Sequence, residues 1–138
     1  MKRFALVAVA TALMSGCMIF LRPPKDPAAY ATTQVSAAQL YRASFAPKET
    51  IRVGKLHPWM IEVQTADGRP VEDAKITVDG GMPQHGHGLP TKPVVTQHLG
   101  DGKHMVEGMR FNMGGWWVVK LEIEGEDGRD VVTFNLKL

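Results

Sequence analysis

Cys17 is the only cysteine in the chain, so no internal disulfide can staple the fold. Stability has to come from an apolar core, and about 90 residues of patterned sequence are enough for a small sandwich with little surplus. An excess of one charge is equally lacking. The 16 basic residues include Lys2 and Arg3, and those that remain downstream of Cys17 balance the 14 acidic ones. With no basic face interleaved with aromatics, nucleic acid is excluded as an expected partner. No glycine-rich loop leads into a helix, which leaves nucleotide binding without support. No serine or cysteine stands with a base in a nucleophilic arrangement, and a lone Asp79 near two histidines is too common a pairing to indicate hydrolysis. The expectation is a protein that binds rather than catalyses.

The amino terminus reads as an address. Lys2-Arg3 precedes an apolar run from Phe4 to Met14, closed by Ser15-Gly16-Cys17, the pattern of a secretory signal. Met14-Ser15-Gly16-Cys17 also resembles a bacterial lipobox, which makes Cys17 the candidate lipidation site. Met18 in place of aspartate after that cysteine favours outer-membrane delivery. The apolar run continues to Leu21, so an uncleaved membrane anchor is the rival reading. The lipidated, anchored and plainly secreted readings of residues 1–21 all place the rest outside the cytoplasm, and the first two, which are favoured, tie it to a membrane facing the periplasm.

Residues 22–48 read as a linker. Arg22-Pro23-Pro24-Lys25-Asp26-Pro27 is neither helix nor central strand, and Ala28 to Ala46 has no sustained hydrophobic period. A short helix over Ala37 to Ser44, capped by Ser36, is the one element the segment offers. It carries Arg22, Lys25, Arg42 and Lys48 against Asp26, a weak attraction to anionic headgroups.

Residues 49–138 read as the domain. Short alternating runs recur between turn residues: Ile51 to Lys55, then Trp59, Ile61 and Val63 on one face, Ile76 and Val78, and Val94 to Leu99. Asp101-Gly102 marks a hairpin. Trp117, Val119, Leu121 and Ile123 alternate with charged residues, and Val132, Phe134, Leu136 and Leu138 follow the turn at Glu126 to Arg129. The pattern predicts an all-β, immunoglobulin-like antiparallel sandwich of about seven strands.

The stretch with chemistry in it is Asp79-Gly80-Gly81-Met82-Pro83-Gln84-His85-Gly86-His87-Gly88-Leu89-Pro90. In an extended chain His85 and His87 project to the same side and reach one ion, with Met82 just upstream. Imidazole plus thioether without thiolate suits copper better than zinc, because thioether is a soft donor that favours Cu(I). A second methionine-bearing loop, Gly108 to Gly115, offers Met113, and less directly Met109, as a further ligand if the two loops meet. The bland alternative keeps the imidazoles on backbone carbonyls and the methionines in core gaps. His57 is expected to be structural, and His98 and His104 to be solvated beside their hairpin.

Together Gly54 to Trp59, the Asp79–Pro90 loop and Glu107 to Trp117 resemble the YtkA-like/FixH-like family of small extracytoplasmic bacterial domains. The Met-Pro-x-His-x-His-Gly run is the most specific part. The resemblance implies a membrane-tethered β-sandwich and, through FixH-like members, a link to assembly of copper-containing respiratory oxidases. An envelope partner such as a copper-dependent respiratory or redox protein is therefore implied. The lipobox-like Cys17 sets this chain apart from FixH-like members. Two functions follow as expectations. One is an envelope-tethered copper-binding protein, a metallochaperone or buffer, using His85, His87, Met82 and Met113. The other is an interaction module that docks an envelope partner through the same loop without metal. Of Trp116 and Trp117, strand alternation expects only Trp117 to be buried.

Overall fold

A computed structural model describes residues 21–138. The signal or anchor, with Cys17, lies outside the described residues. A 3-10 turn at Pro27–Tyr30 is followed by nine strands: β1 Thr33–Val35, β2 Tyr41–Pro47, β3 Leu56–Thr65, β4 Lys75–Met82, β5 His87–Gly88, β6 Val94–Gly100, β7 Lys103–Arg110, β8 Trp116–Gly125 and β9 Gly128–Lys137. All pairings are antiparallel, in one sheet of order β1-β2-β3-β7-β6 and another of order β5-β4-β8-β9. Setting aside the flanking β1 and the two-residue β5, four strands of one sheet and three of the other follow the immunoglobulin order. The fold is the β-sandwich that the alternation predicts. Among the described residues no helix is long and apolar enough to cross a membrane.

Period-two patterning builds the core from both sheets. From β3 come Trp59, Ile61 and Val63, from β8 Trp117, Val119, Leu121 and Ile123, and from β9 Val132 and Phe134, all essentially inaccessible. Phe45 stacks on Trp59 with ring centroids 4.3 Å apart, and Phe111 meets Trp117 edge-on at 5.1 Å. The hairpin expected at Asp101-Gly102 forms with both residues at positive φ, 54° and 70°. Paired positive angles match the twist of the strands they join.

The expected linker over 22–48 is the main correction. It holds the 3-10 turn, β1 and β2, and β2 pairs with β3 along its whole length, from Tyr41↔Thr65 to Pro47↔Trp59. Tyr41, Ala43 and Phe45 are fully buried. The expected helix over Ala37 to Ser44 does not form. Ser36 instead accepts a hydrogen bond from the Tyr41 backbone N–H through its hydroxyl at 2.8 Å, closing a turn into β2. The alternation of Tyr41, Ala43 and Phe45 is only three residues deep and set among small polar neighbours, too short to stand out as a strand. The domain therefore begins well before residue 49.

Two smaller expectations also change. Ile51 to Lys55 is a loop, not a strand, joining β2 to β3. Trp116 is buried as well as Trp117, because its indole N–H donates to Asn135 Oδ1 at 2.8 Å on the paired strand.

Three connections gather at one end of the sandwich: the β2–β3 loop (48–55), the β4–β5 turn (83–86) and the β7–β8 loop (111–115), with the end of β9 beside them. Gly54 donates its N–H to the Phe111 carbonyl at 2.6 Å, and Gly115 and Leu138 exchange backbone hydrogen bonds at 2.9 and 3.0 Å. This end carries the histidine loop.

Candidate functional site

The turn between β4 and β5 is built on the Met82 carbonyl, which accepts the N–H groups of both His85 and Gly86 at 3.0 Å. Gly86 has φ +66°, a left-handed angle that glycine takes without a Cβ penalty. His85 thus sits in a tight turn and His87 on β5, so the chain between them is not extended as the spacing argument assumed. The rings are nevertheless close, with centroids 6.0 Å apart and planes 34° from parallel. Two imidazoles each about 2 Å from a shared ion hold their centroids about 5–6 Å apart, so the separation is near the outer limit of what a common ligand needs.

Met82 is the residue directly opposite His87 in the β4–β5 register. Directly opposed residues in an antiparallel pair project to the same face, with Cβ atoms about 5 Å apart. The His87 ring also meets Trp117 edge-on at 5.6 Å, so it leans on the core rather than standing in water. Its Nδ1 lies 3.0 Å from the Gly88 carbonyl. Donation of Nδ1–H to that carbonyl leaves the Nε2 lone pair free, the arrangement by which a metal-binding imidazole is held in one tautomer. His87 also borders a shallow hollow of about 280 Å³, which it shares with Met82, Gly86 and Lys120.

Met82 itself is only 1 % exposed and belongs to the core. Its methyl reaches the β7–β8 loop: a Cβ added at Gly115, where φ is +126°, would lie 2.7 Å from Met82 Cε. Any side chain at Gly115 displaces the thioether, so that glycine is what lets the two methionine-bearing loops meet. The Met113 carbonyl accepts the Trp117 indole N–H at 3.1 Å, which fixes the loop over the ring that His87 touches. The Met113 side chain is 37 % exposed. The structure therefore sets Met82 opposite His87 and His85 beside His87, and leaves Met113 on the adjoining loop with its backbone carbonyl on the Trp117 ring that His87 touches. Met109 is fully buried between the sheets and fills core volume. Among the described residues no three or more His, Cys, Asp or Glu side chains converge as a metal site, so any centre here depends on thioether donors.

Other expected residues fall elsewhere. Asp79 accepts the Gly80 N–H at 2.7 Å and orients no histidine. His57 is buried, and its Nε2 accepts the Arg52 N–H at 2.8 Å, shaping the β2–β3 loop as a structural histidine does. His104 is a correction, since it is not solvated but fully buried at the far end of the sandwich. Its Nδ1 lies 2.8 Å from Nδ1 of His98, its cross-strand partner, and its Nε2 lies 3.2 Å from the Val71 carbonyl. Burial holds its pKa below the ordinary 6.5, with the neighbouring His98 acting the same way and the Val71 carbonyl and Glu72 opposing. Trp117 and Gly115 are site residues that sequence reasoning did not assign. The Gly-Gly step before a Trp pair is the trace they leave in the sequence.

A family model, described as YtkA-like, matches residues 35–122. The chain belongs to the YtkA-like family. The matched span takes in β2, in keeping with its place in the sheet, and kinship with FixH-like proteins stays an expectation. No curated protein matches the chain. Among solved structures, a ZirS C-terminal domain is similar at 9 % identity and a TM-score of 0.40, over 100 % of this chain and 86 % of that one. A likeness that loose carries no argument about function.

Proposed function

We propose that this YtkA-like domain is an envelope-tethered copper-binding protein that carries or buffers the metal and performs no bond-making chemistry of its own. His85 and His87 supply imidazole nitrogens, with Met82 and Met113 as thioether donors. The observation that carries the reading is the His87–Met82 cross-strand pair, with the His87 Nδ1 held on a backbone carbonyl and its Nε2 left free. A soft thioether beside imidazole favours Cu(I), and a site without cysteine escapes disulfide formation in an oxidising compartment. The buried edge of Trp117 limits water on the inner side of the cluster. A copper-dependent respiratory or redox protein of the envelope is the fitting recipient.

The second reading is a metal-free docking module that uses the same turn. The burial of Met82 at 1 % favours it, because a thioether packed that deeply already has a structural role. Titration of Cu(I) against a competing chelator decides between them, using the full chain with Cys17→Ser so that no thiol competes. The expected result is one-to-one binding, weakened at least about 100-fold in His85→Ala/His87→Ala and about tenfold in Met113→Ala. Equal binding by wild type and the double variant removes the copper reading and leaves the docking one.

A further inference from the structure

We infer that the histidine-bearing end of the sandwich docks on an anionic bilayer surface, so that the site faces the membrane rather than the open periplasm. The inference rests on the membrane tether of the proposed function and not on metal binding.

The first argument is where the described chain begins. The 3-10 turn at Pro27–Tyr30 is fixed against the end of β9: Asn135 Nδ2 donates to the Ala29 carbonyl at 3.1 Å, and the Tyr30 hydroxyl donates to the Pro24 carbonyl at 3.1 Å. Tyr30 lines a shallow depression with Ile51, Leu136 and Leu138, all at the histidine-loop end. From there β1 pairs with β2 and the chain runs toward the opposite end. The apolar run of the sequence stops at Leu21, six residues before Pro27. Six residues span at most about 20 Å, and Pro23 and Pro24 stiffen them. An anchor ending at Leu21 thus holds the membrane within about 20 Å of this end and a lipid on Cys17 within about 35 Å, so under either tether the chain enters the domain at the histidine-loop end.

The second argument is chemical complementarity. Val53 on the β2–β3 loop and Leu56 at the start of β3 are 49 % and 62 % exposed, and Met113 on the adjoining loop is 37 % exposed. Around them stand the exposed cations Arg22, Lys25, Lys48, Arg52, Lys55 and Arg110, against the exposed acids Asp26 and Glu49. The opposite end reverses the sign more weakly, with Asp67, Glu72, Asp73, Asp101, Glu124, Glu126 and Asp127 exposed against Arg42, Arg69, Lys75, Lys103 and Arg129. Total charge is nearly balanced, but its distribution makes the histidine-loop pole basic and the other, where Val35 and Leu99 are also exposed, mildly acidic. Cations ringing exposed apolar side chains suit anionic headgroups over an acyl boundary, and the acidic pole is repelled from the same surface. A copper ion held at His85 and His87 would then be presented at the headgroup level, where membrane-embedded acceptors open.

Hydrogen–deuterium exchange on the full chain reconstituted in phosphatidylethanolamine–phosphatidylglycerol vesicles tests this, with phosphatidylcholine vesicles as reference. Amides in 50–56 and 111–114 are expected to exchange about tenfold more slowly on the anionic vesicles, and those in 66–73 to be unchanged. The surface variant Arg52→Gln/Lys55→Gln should lose most of that protection while keeping its core amides protected. Equal exchange on both vesicles, or protection at the 66–73 end, overturns the inference while leaving copper binding untouched. Protection that grows with protein concentration without anionic lipid assigns this end to a second copy and also overturns it. A full chain that does not float with vesicles removes the tether and the orientation together.

Discussion

His104 shows how far a single side chain departs from what its neighbours in sequence imply. Placed two residues after a hairpin turn, it reads as solvated, yet β7 turns it inward, where it meets His98 and the Val71 carbonyl. If its Nε2–H donates to Val71, its Nδ1 lone pair is the acceptor for His98, and a proton added to His104 breaks that arrangement. Burial lowers its folded pKa below 6.5, so between those two values the unfolded chain binds more protons than the folded one. Its contribution to stability is full above pH 6.5 and is lost as pH falls from there toward the folded value. Urea midpoints measured at pH 7.5, 6.5 and 5.5 should fall with pH in the wild type, and more shallowly in His104→Gln. Parallel slopes in the two proteins would exclude His104 as the cause. At the histidine loop residue type points to His85, His87 and Met82. The His85 and His87 rings lie 6.0 Å apart with Met82 opposite His87, although the turn between the histidines is not the extended chain that their spacing suggests.

Among elements, β2 has the most consequence for how the protein should be handled. It supplies Tyr41, Ala43 and Phe45 to the core, and the turn before it is held by Asp130 of β9, which accepts the Ala38 N–H at 3.0 and 3.1 Å. Burial on its own would raise the Asp130 pKa, but the Ser36 hydroxyl and the N–H groups of Ala38, Val131 and Leu40 outweigh it and hold the carboxyl below its ordinary value. Truncating one buried aromatic costs about 3–5 kcal/mol. Losing both Tyr41 and Phe45 approaches the whole stability of a small domain, about 5–15 kcal/mol. A fragment beginning at Glu49 should therefore give a collapsed amide spectrum and no cooperative unfolding, whereas one beginning at Leu21 gives a dispersed spectrum. A well-folded Glu49–Leu138 fragment would show that β1 and β2 are dispensable. Strands β3, β8 and β9 were readable because their alternation is long and their inward residues are large; β2 offers three inward residues, one of them alanine.

At the scale of the whole molecule, Met82 at the end of β4 packs on Gly115, where the β7–β8 loop that crosses between the sheets enters β8. An ion bound by His85, His87 and Met113 would tie the β4–β5 turn to that crossing loop, so binding and folding would be coupled. At a free ligand concentration of 100 times Kd the folded state gains about 2.7 kcal/mol, which for a domain of this size raises Tm by roughly ten degrees. Thermal unfolding with and without Cu(I) should show that rise in the wild type and none in His85→Ala/His87→Ala. A rise of equal size in both proteins would place the copper elsewhere.

The sequence by itself determined the all-β class, the alternating faces of the long strands, the turns at Asp101-Gly102 and Glu126 to Arg129, and the loop in which donor atoms concentrate. These are local properties: side-chain period, glycine and proline geometry, and ligand chemistry are written in neighbouring residues. Tertiary structure alone decided the rest. It recruited β2 to the core, buried His104, buried Trp116 against Asn135, lodged Met82 against Gly115 and set the chain's entry beside the histidine loop. Each of those depends on residues far apart in sequence, which become neighbours only once both sheets have paired and packed.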